Sequence, residues 1–188
     1  IKRDLTEEDA QQILLWLESD LGKRLTEAEK RASTPAAMQQ MMLQGPKLLG
    51  NKERLAQSRK FDSLVNATGS AMQMQQKSAI ASFSAIATAV DPNASERIQS
   101  FKSQVYAQEA MMRKQAEQMM NMSFLFSYRN FSIEEIDQYL NFYSKRLARK
   151  YSDAVSRGHR RAFGESIKRM SKSMADMFKK YRMSRDDK

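Results

Sequence analysis

The chain is predicted to be all-α, an irregular bundle of seven to nine helices built around two related helical hairpin units. Three observations carry this. Breakers are scarce, with six Gly and three Pro in 188 residues, while helix formers dominate. Apolar residues recur at spacings of three and four, and no alternating strand pattern of useful length appears. A segment near the amino terminus, LTEEDAQQILLWLESDLGKRLTEA at 5–28, returns as FSIEEIDQYLNFYSKRLARKYSDA at 131–154. At 41% hydrophobic the composition is that of a folded chain. The length suits one domain with a real core or two small lobes, and one helical domain over 1–188 is the expectation.

The elements follow in order. Thr6 with Asp9 makes a capping-box start, and Glu7 and Glu8 add acids to the first turn. Ala10, Leu14, Leu17, Leu21, Leu25 and Ala28 then form one stripe, with an elbow at Gly22 and Ser19 capping a second helix. Thr34-Pro35 reads as N-cap and first helical residue of a helix that stops at Gly45-Pro46. A helix from Asn51 to Asn66 buries Leu55, Phe61, Leu64 and Val65. The next, Ala71 to Val90, turns Ile80, Phe83, Ala87 and Val90 to one side. Asp91-Pro92-Asn93 breaks the chain, and Asn93 with Glu96 caps one long helix whose seam is Ile98, Phe101, Val105, Met112, Met119 and Phe126. Arg129-Asn130 closes it, and Ser132 with Glu135 caps the returning segment. In the last helix Phe163, Ile167, Met170, Met174, Met177 and Tyr181 keep heptad spacing.

The two copies align without a gap at an offset of 126. Thr6 meets Ser132, Asp9 meets Glu135, Trp16 meets Phe142, Lys23-Arg24 meets Arg149-Lys150, and Ala28 meets Ala154. Two amphipathic helices share a stripe by chance more readily than they share a cap and a dibasic pair at one offset. The expectation is an internal duplication packed with pseudo-two-fold symmetry. Two copies do not make a solenoid, which needs three or more.

These segments resemble a bacterial family of exported helical proteins of unknown function, marked by a Ser/Thr-x-x-Glu start, an aromatic-rich helix and then Ser-x-x-Gly-Lys. Thr6 to Asp9, Trp16, Ser19 and Gly22-Lys23 match in the first copy. Ser132 to Glu135 and Phe142-Tyr143-Ser144 match in the second, where Ala148 replaces Gly. The resemblance implies an all-helical fold and a periplasmic address, and it brings no catalytic residues.

No site names a reaction. Cysteine is absent, which excludes disulfides, a thiol nucleophile and Cys-based metal sites. The single histidine, His159, lies among Arg157, Arg160 and Arg161 and reads as a surface or cap residue. Glu7, Glu8, Glu134 and Glu135 read as helix caps rather than paired catalytic carboxylates. Gly164-Glu165-Ser166 lacks the second Gly and the strand context of a nucleophile elbow, and no phosphate-binding Gly-rich loop occurs. No metal and no cofactor is expected. The 14 Met cluster at helical spacing, which suits core packing first, a peptide-binding groove next and Cu(I) last. Met38, Met41, Met42, Met112, Met119 and Met122 are the candidate groove.

The charge is lopsided. Residues 1–144 carry 17 basic and 17 acidic side chains, and residues 145–188 carry 15 and five. Lys145, Arg146, Arg149, Lys150, Arg157, Arg160, Arg161, Lys168, Arg169 and Lys172 are therefore a candidate basic interaction surface, with a basic helix over about 164–185. No run reaches about 18 uninterrupted apolar residues, so no membrane span is expected. The chain opens on Ile1 rather than Met, as a fragment or a processed precursor does.

These observations point to a non-enzymatic helical binding or structural protein of the bacterial envelope, periplasmic or exported, with a cytoplasmic address left open. The expected partner is a protein or peptide, with a homodimer also weighed. The alternative is an anionic membrane surface, an envelope polymer or, less favoured, nucleic acid, held by the basic C-terminal helix.

Overall fold

The computed structural model describes residues 5–91 and 93–186, and of residues 175 and 178–186 the backbone alone. Pro92 and the side chain of Tyr181 lie outside the described residues. Among the described residues the chain forms nine helices and no strand, as the all-α expectation requires: α1 (Glu7–Leu17), α2 (Asp20–Ala32), α3 (Pro35–Leu48), α4 (Lys52–Val65), α5 (Ala67–Val90), α6 (Ser95–Ala107), α7 (Glu109–Ser127), α8 (Ile133–Ser144) and α9 (Arg146–Asp186).

Side-chain caps set five of the starts. Thr6 Oγ1 accepts from Asp9 N at 3.1 Å while Asp9 Oδ2 accepts from Thr6 N at 3.0 Å. Ser132 and Glu135 repeat that exchange at 3.2 and 2.8 Å, so α1 and α8 both begin in a full capping box. Ser19, Thr34 and Asn51 cap α2, α3 and α4 with one bond each. Asn66 ends α4 in the left-handed conformation at φ 51°, which Asn tolerates better than most residues.

Contacts group the chain into two compact units, each discontinuous in sequence, beside the expectation of one domain over 1–188. The first comprises Ile1–Thr68 with Gln115–Ser156, and the second Gly69–Lys114 with Arg157–Lys188.

The core of the first unit gathers Leu25 and Ala28 of α2, Phe124 of α7, Tyr128, Phe131, and Ile136, Tyr139 and Leu140 of α8. Helix α4 packs on α8. Its expected stripe, Leu55, Phe61, Leu64 and Val65, is half-buried, and its deepest residues are Gln57 and Ser58. Gln57 Nε2 donates to Ile133 O and to Asp137 Oδ1, both at 2.9 Å, and Ser58 Oγ donates to Asn121 Oδ1 at 2.8 Å. A buried polar group without a partner costs about 1–3 kcal/mol, so these bonds fix where α4 can lie. Arg54 adds donors to the carbonyls of Tyr128 and Phe131, just past the end of α7, where carbonyls lack helical partners.

Three contacts in this unit follow the offset of 126, one directly and two as a reciprocal pair. Trp16 stacks on Phe142, 126 positions later, with centroids 3.9 Å apart and planes 10° apart. Glu135 Oε1 pairs with Arg24 at 2.5 Å, and Asp9 pairs with Lys150. The two acids stand 126 apart, and so do the two bases. The turns agree as well: Ser19 N donates to Trp16 O at 3.2 Å, and Lys145 N to Phe142 O at 3.1 Å.

Several boundaries differ from expectation. On α1 the buried residue is Ile13, while Leu14 is 52% exposed. The run Ile13-Leu14-Leu15-Trp16-Leu17 is apolar all round, so its spacing selects no face. Helix α3 does not stop at Gly45-Pro46 but runs to Leu48 with Pro46 inside. A proline in the last turn forfeits one hydrogen bond. Gly45 is compensated by contact: a Cβ there would lie 2.7 Å from Met122 Sδ, so glycine lets α3 close on α7. Around them Met41, Met122 and Phe126 form a second buried cluster.

In the second unit Phe83 of α5 stacks on Phe101 of α6 at 4.1 Å. Helix α5 begins at Ala67, four residues before the expected Ala71, and its last residue, Val90, is 54% exposed. The expected cap Asn93 instead donates its N–H to Asp91 Oδ1 at 2.9 Å, and α6 starts after Ala94 with no side-chain cap bond. The single long helix expected over this stretch is two, α6 and α7, broken at Gln108, where neither Gly nor Pro marks the break. The α9 seam is covered at Phe163 and Ile167 and open at Met170 and Met177. No helix among the described residues is long and apolar enough to cross a membrane.

Candidate functional site

A cleft of about 550 Å³ opens in the first unit. Four helices supply its walls: Ala32 and Glu29 from α2, Met38 and Met41 from α3, Phe61 from α4, and Met119, Met120, Ser123 and Phe124 from α7. Tyr128, just beyond α7, and Tyr139 and Tyr143 of α8 complete it. The stripe that buries Leu25 and Ala28 turns the next residue, Glu29, onto the cleft.

Glu29 is the polar centre. Its Oε1 accepts from the Tyr128 hydroxyl at 2.6 Å and from the Tyr139 hydroxyl at 2.8 Å, and the two phenol oxygens lie 3.2 Å apart. Its other oxygen, Oε2, has no hydrogen-bond partner among the described residues. Burial pushes both phenols well above their ordinary pKa, with the Glu29 carboxylate adding to the effect. Burial likewise raises Tyr143 to about 12. The phenols thus stay protonated and serve as donors.

Aromatic faces surround the carboxylate. Phe61 lies 5.4 Å from both Tyr139 and Tyr143, and Tyr139 meets Tyr143 edge-on at 5.0 Å. A second cleft, also about 550 Å³, shares Glu29, Tyr139 and Tyr143 and adds Trp16, Leu17, Leu25 and Tyr151. The Glu29–tyrosine cluster therefore forms a partition between two openings. Volumes of this size take a small molecule or a few side chains of a peptide.

The candidate methionines divide. Met38, Met41 and Met119 line the first cleft. Met42 is exposed, Met122 is buried against Gly45, and Met112 belongs to the second unit. Among the basic candidates, Lys145, Arg146 and Arg149 are exposed in the first unit, while Lys150 is engaged with Asp9. Arg157, Arg160, Arg161, Lys168, Arg169 and Lys172 are exposed on α9 in the second unit, with Lys168 3.0 Å from Glu165. His159 is exposed there too. Among the described residues no group of three or more His, Asp or Glu side chains could hold a metal ion.

The sequence marked none of Glu29, Tyr128, Tyr139 and Tyr143 as a site residue, and Tyr143 entered only through the matched Phe142-Tyr143-Ser144. Tyr139 and Tyr143 are spaced i, i+4, which places both on one face of α8 and was a usable signal. Glu29 lies in the charged run Thr26-Glu27-Ala28-Glu29-Lys30-Arg31, where nothing separates it from a solvated residue.

A family model described as "Uncharacterized protein conserved in bacteria (DUF2059)" matches residues 2–50, which include the first copy of the repeated segment. The chain thus resembles a bacterial family of unknown function over that stretch. No curated protein and no solved structure matches it.

Proposed function

We propose that the chain is a non-enzymatic binding protein of the bacterial envelope, and that the cleft of the first unit receives apolar side chains of a partner's peptide segment. The observation that carries this is the wall of Met38, Met41, Met119 and Met120 facing aromatic rings. Flexible thioethers repack around different apolar shapes, and aromatic rings give them a rigid floor. The acids weighed as paired carboxylates stand at helix starts: Glu135 caps α8 and pairs with Arg24, and Glu7, Glu8 and Glu134 lie in the first turns of α1 and α8. The two segments 126 apart are, in this proposal, duplicated halves related by a pseudo-two-fold axis. Supporting it, Trp16 meets its own counterpart, and the two ion pairs are reciprocal.

The test is methionine-methyl NMR of the full chain with a 12-residue amphipathic peptide of Leu and Lys. The Met38, Met41 and Met119 signals should shift saturably while that of Met112, in the other unit, stays. Shifts confined elsewhere, or none, would remove the proposal.

A second reading rests on charge. The second unit carries 16 basic and seven acidic side chains, nearly the whole excess of the chain. Its α9 would hold an anionic membrane surface, an envelope polymer or nucleic acid. Affinity of the full chain for anionic vesicles should then fall steeply between low and moderate salt, and a flat response would exclude it.

A further inference from the structure

We infer that Glu29 is the specificity carboxylate of the cleft, and that it receives a lysine or arginine side chain of the bound peptide segment. This rests on the binding proposal above and names the chemistry its partner must present.

The first support is valence. Oε1 is saturated by two buried phenols, and Oε2 is unpaired among the described residues. A carboxylate oriented through one oxygen presents the other to an incoming donor. Its sequence neighbours Lys30 and Arg31 reach Glu27 at 3.9 and 3.8 Å, Lys23 and Lys30 line the second cleft with it, and no ion pair to Glu29 forms among the described residues. The second support is the lining. Phe61, Tyr139 and Tyr143 place ring faces and edges beside the carboxylate, and Met119 and Met120 add apolar surface for an aliphatic stem. Ring faces attract a cation within about 6 Å of the centroid. A charged head on an apolar stem satisfies both halves of this lining.

The third support is an internal comparison. One interval of 126 from Glu29 stands Val155, and one interval before Tyr139 stands Ile13. Ile13 is buried, so the first segment carries an apolar residue at the position where the second carries a phenol. The Glu29–Tyr128–Tyr139 cluster is thus particular to one of the two alike segments. A carboxylate kept in a half-buried aromatic wall without a cation of its own is a recognition group.

Net charge lets the experiment discriminate. The chain is +10, so general electrostatics favours removing positive charge from a ligand. Glu29 recognition requires the reverse. The Leu/Lys peptide and its lysine-acetylated form, which keeps the stem and loses the charge, are titrated against the full chain by methionine-methyl NMR. The acetylated peptide should bind about tenfold more weakly or worse, as expected for losing one charge-assisted hydrogen bond. Glu29→Gln, whose amide oxygen still accepts both phenols, should abolish that preference. Equal or tighter binding of the acetylated peptide to the wild type overturns the inference while leaving the binding proposal intact. So does a preference that survives in Glu29→Gln. If neither peptide moves the Met38, Met41 and Met119 signals, both fall together. The wild-type comparison needs no variant and decides the matter even where Glu29→Gln does not fold.

Discussion

The segments at 5–28 and 131–154 begin alike and are buried differently. Each opens in a capping box, breaks after the same backbone turn and sends a base to the other's acid. Yet Leu140 is fully buried while its counterpart Leu14 is 52% exposed. The reason is what covers them. Helix α8 is packed by α4 and faces Phe124 and Tyr128, whereas α1 packs on α2 and meets α8 through Trp16. The segments also differ at the elbow. A Cβ on Gly22 would lie 2.3 Å from Trp16 O, while its counterpart Ala148 is fully buried with its Cβ in place. The difference teaches that caps and turns belong to the local sequence, and that burial belongs to the neighbours.

The largest expected effect exploits that contrast. Leu140→Ala should cost about 2–5 kcal/mol, as for other buried leucines. Leu14→Ala should stay within about 0.5 kcal/mol, as for surface changes. Denaturant unfolding of both variants measures it, and equal losses would mean that α1 is covered in solution.

Next comes alkaline pH, which separates the tyrosine side from the isoleucine side. Tyr128, Tyr139 and Tyr143 have folded pKa values raised above 10. A raised acid binds its proton more tightly when folded, so this stability is complete below pH 10 and is lost as pH climbs through the folded values. Phenolate absorbance should show these three ionising late and together with loss of helical circular dichroism. If all six tyrosines of the chain titrate near pH 10 with the helix content intact, the cluster is not buried.

The smallest effect tests the likeness. Arg24 and Lys150 are both more than a third exposed, so Arg24→Ala and Lys150→Ala should each cost only about 0.2–1 kcal/mol. Their losses should be similar. Unequal losses would argue against reciprocal pairing. Asp9 is held down to about 2, by Lys150 first and the Thr6 N–H next, and Glu135 is lowered by the Ser132 N–H and Arg24. Depressed acids stabilise above their ordinary values and lose that contribution as pH falls through the folded ones. In Lys150→Ala the Asp9 carboxyl should therefore titrate nearer its ordinary value, as side-chain NMR would read.

Much of the fold was legible. Thr6, Ser19, Thr34 and Ser132 act as the caps that their side chains announce, since a cap needs one oxygen and the next turn of backbone. The break at Gln108 was not legible, because no residue there forbids a helix. The site was legible only in part. Met38, Met41 and Met119 reached the cleft, but Met122 and Met112 did not, since helical spacing fixes a face and not which helix meets it.

By itself, then, the sequence determined an all-helical chain, its starts, and the spacing of two alike segments, because hydrogen bonds within one turn depend on neighbours in the chain. Tertiary structure alone decided that Trp16 stacks on Phe142, that polar Gln57 and Ser58 lie deepest on α4, and that Glu29 gathers two tyrosines. Those choices depend on groups as many as 126 residues away, and no local pattern carries that information.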